Sequence, residues 1–404
     1  MSSTHAAPGL CVVSTLSSHG PGGLAAYVRH LRRGLAARWD VTELARFGVE
    51  GPGRVDYAAR EREGELPAVN GHGSVRIIAP RPGTAPGLQQ VHRLVNRPAV
   101  AGLGVATFSA AYRSRLARAI PSGIDVMHFV GTGWELLGFP ALREARRRGT
   151  AFTIWPAIHP GTWGDSALDA RLYRAADAIL AQSEFERRRL IDLGVEETKV
   201  HVMPLAPALE RDGDGDRFRR SRGLGERPLV LFVGRRQRYK GYHALREAMA
   251  AVVEAVPDAC LVSAGPATEP PFPALPDASH VDLGTCDEQE KADALAACDV
   301  FCMPSEGESF GIAYLEAWRF SKPVVAGSAP AVAELVRDGE NGFRVDNAAE
   351  AIAPVLIRLL RDEPLRTRLG AAGRELQRRR YTWPAVVEEH EAVFQAVAGG
   401  GRYS

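Results

Sequence analysis

A chain of 404 residues exceeds what one ordinary hydrophobic core organises and suits two α/β domains. Hydrophobic residues make up 45% and charged residues 24%, the balance of a soluble globular enzyme. Lys and Arg number 50 against 48 Asp and Glu, and the net charge of +2 excludes the phosphate-neutralising surface of a nucleic-acid binder.

The N-terminus, MSSTHAAPGL, has neither the basic start nor the apolar stretch of a signal peptide. The apolar run Leu10 to Val13 predicts a first strand, and Leu24, Tyr27, Val28, Leu31 and Leu35 mark one face of the helix after it. Between them lies Ser17-Ser18-His19-Gly20-Pro21-Gly22-Gly23, whose glycines let backbone approach a phosphate or sugar closely. Pro21 breaks any GxGxxG pattern, so a plain tight turn is as good a reading. From Val49 to Pro86 the chain is Gly- and Pro-rich and offers one strand, Val75 to Ile78. The longest uncharged, mostly apolar run, Ala99 to Tyr112, is too short to span a bilayer and suits a core or acceptor-side helix better than a membrane-surface one.

Val126 to Val130 predicts a strand carrying His128, which either faces a ligand or is a satisfied core histidine; His19 poses the same choice. Ala151 to Ile154 predicts another, followed by a loop rich in Pro and aromatic groups around His159. Ala178 to Leu180 and Val200 to Val202 complete the first half. These runs are continuous rather than alternating, as in parallel strands covered on both faces, so the fold class is doubly wound α/β. The stretch 208–227 is polar and Gly-rich and reads as a linker between domains, flexible and acidic at Asp212 to Asp216. Its Asp212 to Asp216 fails as a calcium loop, because Arg217 stands where the motif needs Gly and Gly223 where it needs Glu.

In the second half, the runs Leu229 to Val233, Cys260 to Val262, Val300 to Met303 and Pro323 to Val325 predict further strands. After the first comes Gly234-Arg235-Arg236-Gln237-Arg238-Tyr239-Lys240-Gly241, with four cations at the strand end where open α/β sheets bind ligands. Arg can grip phosphate with its fork and Lys supplies a point charge; a solvated basic turn is the alternative. After Val300 to Met303 comes Ser305-Glu306-Gly307-Glu308-Ser309-Phe310-Gly311, then a helix expected from near Phe310 to Arg319. Such a junction offers backbone N–H groups at a helix start, a cradle for a diphosphate. Glu308 would precede the helix and Glu316 lie about six residues into it, roughly 9 Å further along. The pair could flank a diphosphate, or Glu308 could cap the helix and Glu316 sit on a solvated face. The triplets Arg146 to Arg148, Arg187 to Arg189 and Arg378 to Arg380 have acidic neighbours and read as solvated surface. The five cysteines form no CxxC pair, and Cys11, Cys260 and Cys302 sit in apolar runs, which points to a reducing cytoplasm.

Taken together, Glu308…Glu316, Gly234-Arg235…Lys240-Gly241 and Gly22-Gly23 resemble the signature of the retaining glycosyltransferases of family four, whose hallmark is E-x7-E. The resemblance spans about Cys11 to Trp383 and is strongest from Leu229 to Val345. It implies a GT-B fold, two facing Rossmann-like domains with a cleft between them. It implies that Arg235 and Lys240 bind the donor diphosphate, Glu316 the ribose and Glu308 the donor-sugar hydroxyls. Ser309, Phe310 and Gly311 would surround sugar and phosphate, Gly22 and Gly23 the donor, Thr285 the base, and His159 the donor sugar. No metal and no cofactor are implied, since Arg and Lys neutralise the leaving group.

The expected domains are 1–207 on the acceptor side, with His19 and His128 as acceptor candidates, the linker 208–227, the nucleotide-sugar domain 228–380, and a helix over 381–404 crossing back. The expected function is transfer of a sugar (hexosyltransferase-type, retaining) from a nucleoside-diphosphate sugar to a hydroxyl acceptor, a small soluble metabolite ahead of a cell-envelope polymer. A non-catalytic binding subunit and a nucleotide-sugar epimerase or pseudo-glycosyl coupling enzyme are the alternatives on the same fold. No nucleic-acid or membrane partner is expected.

Overall fold

Apolar runs that no water reaches become strands, and the helices between them cover both faces. The structure, a computed structural model, describes residues 7–20, 22–48, 63–67, 74–95, 97 and 99–400. Pro21 of the first turn, and 49–62 and 68–73 of the Gly- and Pro-rich segment, lie outside the described residues. The chain divides into two units, Met1–Pro204 with Trp383–Ser404, and Leu205–Thr382.

In the first unit the strands are β1 (Gly9–Leu16), β2 (Asp40–Phe47), β3 (Gly64–Leu66), β4 (Val75–Ile77), β5 (Ile124–Val130), β6 (Ala151–Trp155), β7 (Ala178–Ala181) and β8 (Val200–Val202). They form one sheet in the order β3-β4-β2-β1-β5-β6-β7-β8, parallel throughout except between β3 and β4. Its helices are α1 (Gly23–Leu35), α2 (Ala85–Val95), α3 (Ala101–Ala119), α4 (Gly138–Arg148), α5 (Ala167–Arg174) and α6 (Glu184–Asp192). The uncharged run before Tyr112 lies largely in α3, and Val105, Phe108, Tyr112 and Leu116 are enclosed in the core. Leu103 of the same run is exposed, so α3 has a core face and an outer one.

The second unit holds α7 (Gly215–Ser221), β9 (Leu229–Val233), α8 (Tyr242–Ala255), β10 (Cys260–Ala264), β11 (His280–Gly284), α9 (Glu288–Ala297) and β12 (Val300–Met303). Then follow α10 (Ile312–Arg319), β13 (Val324–Ala326), α11 (Pro330–Ala333), β14 (Gly342–Arg344), α12 (Ala349–Arg361) and α13 (Glu363–Arg380). Its sheet is wholly parallel in the order β11-β10-β9-β12-β13-β14, the 3-2-1-4-5-6 arrangement of a Rossmann fold.

Part of the stretch 208–227 is a docked helix rather than a linker. Arg217 of α7 forks onto Asp293 of α9 at 2.7 Å, and Asp293 also accepts from the Asp214 amide at 2.8 Å. A Cβ on Gly213 would come within 2.1 Å of the Ala292 carbonyl, so that glycine belongs to close packing against α9, not to a calcium loop. Arg319 of α10 further donates to the carbonyls of Leu209 and Arg211 at 2.8 Å.

A closing helix, α14 (Trp383–Gly400), belongs to the first unit and packs on α1. Trp383 stacks on His30 at 4.0 Å between ring centroids, and Trp39 donates to Glu391 at 3.1 Å. In the first arginine triplet Arg146 reaches Asp177 at 2.7 Å, and the exposed Arg147 reaches the buried Glu144 at 2.6 Å. Among the described residues, no helix is long and apolar enough to cross a membrane.

Candidate functional site

In the second unit β9 and β12 are neighbours, with β10 and β11 on one side and β13 and β14 on the other. Strand order reverses there, and open α/β sheets bind ligands outside the carboxyl ends of strands at such a point. Two loops leave it, Gly234–Gly241 after β9 and Pro304–Gly311 after β12. They are stitched together: the Glu306 amide and the Ser305 hydroxyl both donate to the Tyr239 carbonyl, at 2.8 and 3.2 Å. Gly241 has φ 78, and a Cβ there would lie 2.5 Å from the Pro304 carbonyl oxygen, so only glycine lets one loop rest on the other.

The four cations of the first loop separate into different roles. The Lys240 ammonium meets the Glu308 carboxylate at 2.6 Å, with the two side chains only 12% and 8% exposed. Arg235 is exposed and donates to the Tyr239 hydroxyl at 3.0 Å. Arg236 is buried and forks onto Asp282 of β11. Arg238 is exposed, and its amide donates to Glu269 at 2.8 Å. The solvated-turn reading thus fits the exposed Arg235 and Arg238 and fails for Arg236 and Lys240.

The helix after the second loop starts two residues later than expected. Its N-cap is Gly311, with φ 100 and no capping side chain, and Ser309 and Phe310 remain in the loop. The reason is both local and tertiary: Gly311 takes a left-handed turn, and Phe310 is buried edge-on against Tyr381, with ring centroids 5.8 Å apart. Glu308 is therefore no cap. Nor is Glu316 on a solvated face: it is 3% exposed and held by Lys291 of α9 at 2.9 Å. The first-turn N–H groups have no partner four residues back, and the Tyr314 amide turns instead to the Gly311 carbonyl at 3.1 Å. Both glutamates are thus paired with a lysine, and Lys291 is a member of the site that spacing did not reveal.

Thr285 is exposed just beyond β11, where Gly284 has φ 58 and its amide donates to Asp282 at 2.7 Å. Burial and Arg246 push the His280 imidazole on β11 down to about 4. Among the described residues no group of three or more His, Cys, Asp or Glu could hold a metal ion.

The first unit has its own reversal point, between β1 and β5. The turn after β1 is tied from beneath: the Ser18 amide and hydroxyl both donate to Glu43 of β2 at 2.7 Å, and Glu43 is ion-paired with Arg32 of α1. Gly22, with φ 92, caps α1, and Gly23 opens it. His19 is half-buried, and desolvation lowers its pKa against the opposing pull of Glu43.

His128 was an acceptor candidate, and the structure encloses it completely. One ring nitrogen meets the Tyr27 hydroxyl at 2.9 Å, the other the Thr153 hydroxyl at 2.8 Å, and Phe394 of α14 stacks edge-on at 5.1 Å. It is a satisfied core histidine. Trp155 is likewise buried, stacked on Tyr27 at 4.3 Å. His159 stays half-exposed in a tight reversal, its amide donating to the Trp163 carbonyl at 3.0 Å and its ring 4.1 Å from that of Trp163. Glu186, also unforeseen, fixes this loop by accepting from the Ile158 and Gln182 amides at 2.7 and 2.6 Å. A cavity of about 280 Å³ lies between α3 and α4 and contains none of these residues.

Two doubly wound units, the second with lysine–glutamate pairs at its reversal point, define a two-unit α/β protein with a candidate ligand site. A family sequence description, Glycosyl transferases group 1, matches residues 214–376, and Glycosyl transferase 4-like domain matches 22–206. The D-inositol 3-phosphate glycosyltransferase 1 of Catenulispora acidiphila is 31% identical over 316 residues, covering 70% of this chain and 74% of that protein. The chain belongs to this glycosyltransferase family, of the family-four type. The phosphatidyl-myo-inositol mannosyltransferase of Mycobacterium leprae is 38% identical over 178 residues, 43% of this chain, and the match spans only about half (47%) of that relative's length. Sucrose-phosphate synthase from Thermosynechococcus elongatus superposes with a TM-score of 0.74 at 19% identity, over 97% of this chain and 100% of that one. The Anabaena protein HepE in complex with UDP and glucose does so with 0.68 at 16% identity, over 96% and 99%. These likenesses give the fold, that of GT-B glycosyltransferases.

Proposed function

We propose that this chain transfers a sugar from a nucleoside-diphosphate sugar to a hydroxyl acceptor with retention of anomeric configuration, and that the second unit holds the donor. The observation that carries this reading is the Lys240–Glu308 pair at the reversal point, 2.6 Å apart and nearly buried. Departure of a nucleoside diphosphate puts negative charge on the leaving oxygens. Arg235, Lys240 and the amides leading into α10 are fixed donors that meet it without reorganisation. An ammonium has three donors and Glu308 engages one, so Lys240 can hold the carboxylate and a phosphate oxygen together. Glu308 then receives donor-sugar hydroxyls, with Ser309, Phe310 and Gly311 around sugar and phosphate. Glu316 takes the ribose hydroxyls and Thr285 lies by the base. The acceptor attacks from the face the leaving group departs, so no protein nucleophile is assigned. The cations stand in for a metal.

The first unit would bind the acceptor, with Gly22 and Gly23 approaching the donor and His159 the sugar. The relative named for D-inositol 3-phosphate makes an inositol phosphate the first acceptor to test, and the one named for phosphatidyl-myo-inositol makes an inositol lipid headgroup the second. All five cysteines are free thiols, which supports a reducing, cytoplasmic setting.

The test is a thermal-shift screen of UDP-, GDP-, ADP- and TDP-sugars, followed by transfer assays with the donor that binds. A matching donor at a hundred times its Kd stabilises by about 2.7 kcal/mol and raises Tm by a few degrees. The product's anomeric coupling should match the donor's. No shift with any nucleotide sugar would overturn the reading. Binding without glycoside formation would turn it to a binding subunit, and an altered free nucleotide sugar to an epimerase.

A further inference from the structure

Arg236 stands in the middle of the cationic turn, yet the structure turns it away from its neighbours. Its guanidinium is 3% exposed and forks onto the Asp282 carboxylate near the end of β11, two strands away in the sheet. A charge buried this far persists only when paired, and the fork fixes direction as well as distance. The Tyr242 ring lies 5.6 Å from the guanidinium carbon and closes one side. The Arg236 amide is also engaged, donating to the Pro266 carbonyl at 3.0 Å. Backbone and side chain together therefore set Arg236 against the ends of β10 and β11.

Asp282 passes this constraint on. Besides Arg236, its carboxylate accepts from the Gly284 amide at 2.7 Å, while the Gly284 carbonyl accepts from the Gly265 amide at 2.6 Å. The Arg236 guanidinium, ahead of any other influence, holds the Asp282 carboxyl below its usual range, so the tie is ionic at neutral pH. β11 is the edge strand, hydrogen-bonded to β10 alone, so its outgoing loop has little else to hold it. That loop, Gly284-Thr285-Cys286-Asp287, leads directly into α9, and Lys291 in the first turns of α9 is bonded to Glu316 at 2.9 Å. Its start is tied to the cationic turn through Arg236, and its end to the second glutamate through Lys291.

Building on the donor-site reading above, we infer that Arg236 is a positioning residue that, through Asp282, holds the Gly284–Asp287 loop in place for the nucleoside part of the donor and takes no share in gripping the diphosphate. A loop already held in its binding geometry need not be ordered on binding, and loss of such a tie is felt as affinity. The ligand part concerned is the base with its ribose.

The experiment compares two probes by calorimetry on the full chain: the tightest-binding member of UDP, GDP, ADP and TDP, and inorganic pyrophosphate. The variant is Arg236→Met with Asp282→Asn, which leaves no uncompensated buried charge and keeps an oxygen for the Gly284 amide. Nucleotide Kd is expected to rise about tenfold, with pyrophosphate Kd changed less than about twofold. Donor KM should rise by the same factor while kcat stays within about threefold. Arg236→Lys, which keeps the charge but not the fork, should recover about a third of the lost affinity on a logarithmic scale. If the double variant does not fold by circular dichroism, Arg236→Lys alone should still weaken nucleotide and spare pyrophosphate. Equal weakening of both probes would make Arg236 a phosphate ligand, and no change in either would make the tie purely structural; each overturns the inference. Wild-type protein that binds none of the four nucleotides overturns the donor-site reading itself, and the inference falls with it.

Discussion

The two units share a plan, a parallel sheet whose strand order reverses between β1 and β5 in one and between β9 and β12 in the other. At both places a cation meets a carboxylate. In the first unit Arg32 and Glu43 are 4% and 0% exposed, and they spend their hydrogen bonds on the Ser18 turn beside them. In the second, Lys240 and Glu308 keep a small opening to solvent, and each comes from a different loop. The same pair chemistry therefore serves two ends: a sealed pair fixes a turn, and a pair left at a loop junction keeps donors and acceptors for something else. Topology locates a crevice, but which polar atoms remain uncommitted decides what it does.

The sharpest way to break this comparison is to remove one partner in each unit. Arg32→Met strands Glu43 in the core and should cost about 3–5 kcal/mol of stability, read as a lower urea midpoint at unchanged slope. Its folded fraction should still bind nucleotide with unaltered affinity. A loss under 1 kcal/mol would mean that the sealed pair is not what holds the turn.

Lys240→Ala is the matching change in the second unit, and its main effect falls on rate. Losing one fixed donor to a developing negative charge lowers kcat by about 10²–10³-fold, or about 2.7–4 kcal/mol of barrier. Glu308→Gln should lower it as well, with folded spectra retained in both. Initial rates with a matched donor and acceptor check this. Wild-type turnover in Lys240→Ala would remove the lysine from the chemistry and leave the pair structural, like its counterpart.

How much of this was legible depends on whether the cause was local. Leu229 to Val233 and Val300 to Met303 read as strands because continuous apolar runs have few other uses, and β9 and β12 occupy those same residues. The strand-end loops read as site material because glycines and charges cluster at a strand end. The partners did not read. Arg236 and Asp282 lie 46 positions apart, and Arg217 and Asp293 lie 76 apart, distances over which spacing carries no signal. A polar stretch looks the same whether it floats or docks, so α7 passed for linker. Phe310 fits a helix by composition, and the left-handed turn at Gly311 together with its contact with Tyr381 keeps it out. His128 could not be assigned from a strand pattern, because Tyr27 and Thr153 come from two other elements.

The smallest expected effect concerns acid. His128 and His390 are both enclosed in the first unit, and burial lowers the pKa of each, to about 4 for His390. His390 binds its proton in the unfolded chain near pH 6.5 and in the folded one only near 4. Between those values the unfolded state holds more protons, so this contribution to stability falls as pH falls. At pH 5.5, one unit below the ordinary value, His390 alone costs about 1.4 kcal/mol relative to pH 7.5. Glu135 and Glu186, pushed up to about 7 and about 8 by burial, act in the opposite direction, so the wild-type slope by itself is mixed. The difference between wild type and His390→Leu isolates the histidine. The variant should lose about 1.4 kcal/mol less than wild type between pH 7.5 and 5.5 by urea unfolding, in whichever transition reports the first unit. His280, half-buried in the second unit and lowered to about 4, supplies the internal comparison, because replacing it should leave the first unit's acid response as it was. Identical acid responses in wild type and His390→Leu would mean that the histidine is solvated where α14 meets α1, and that this helix packs more loosely than its enclosed side chains require.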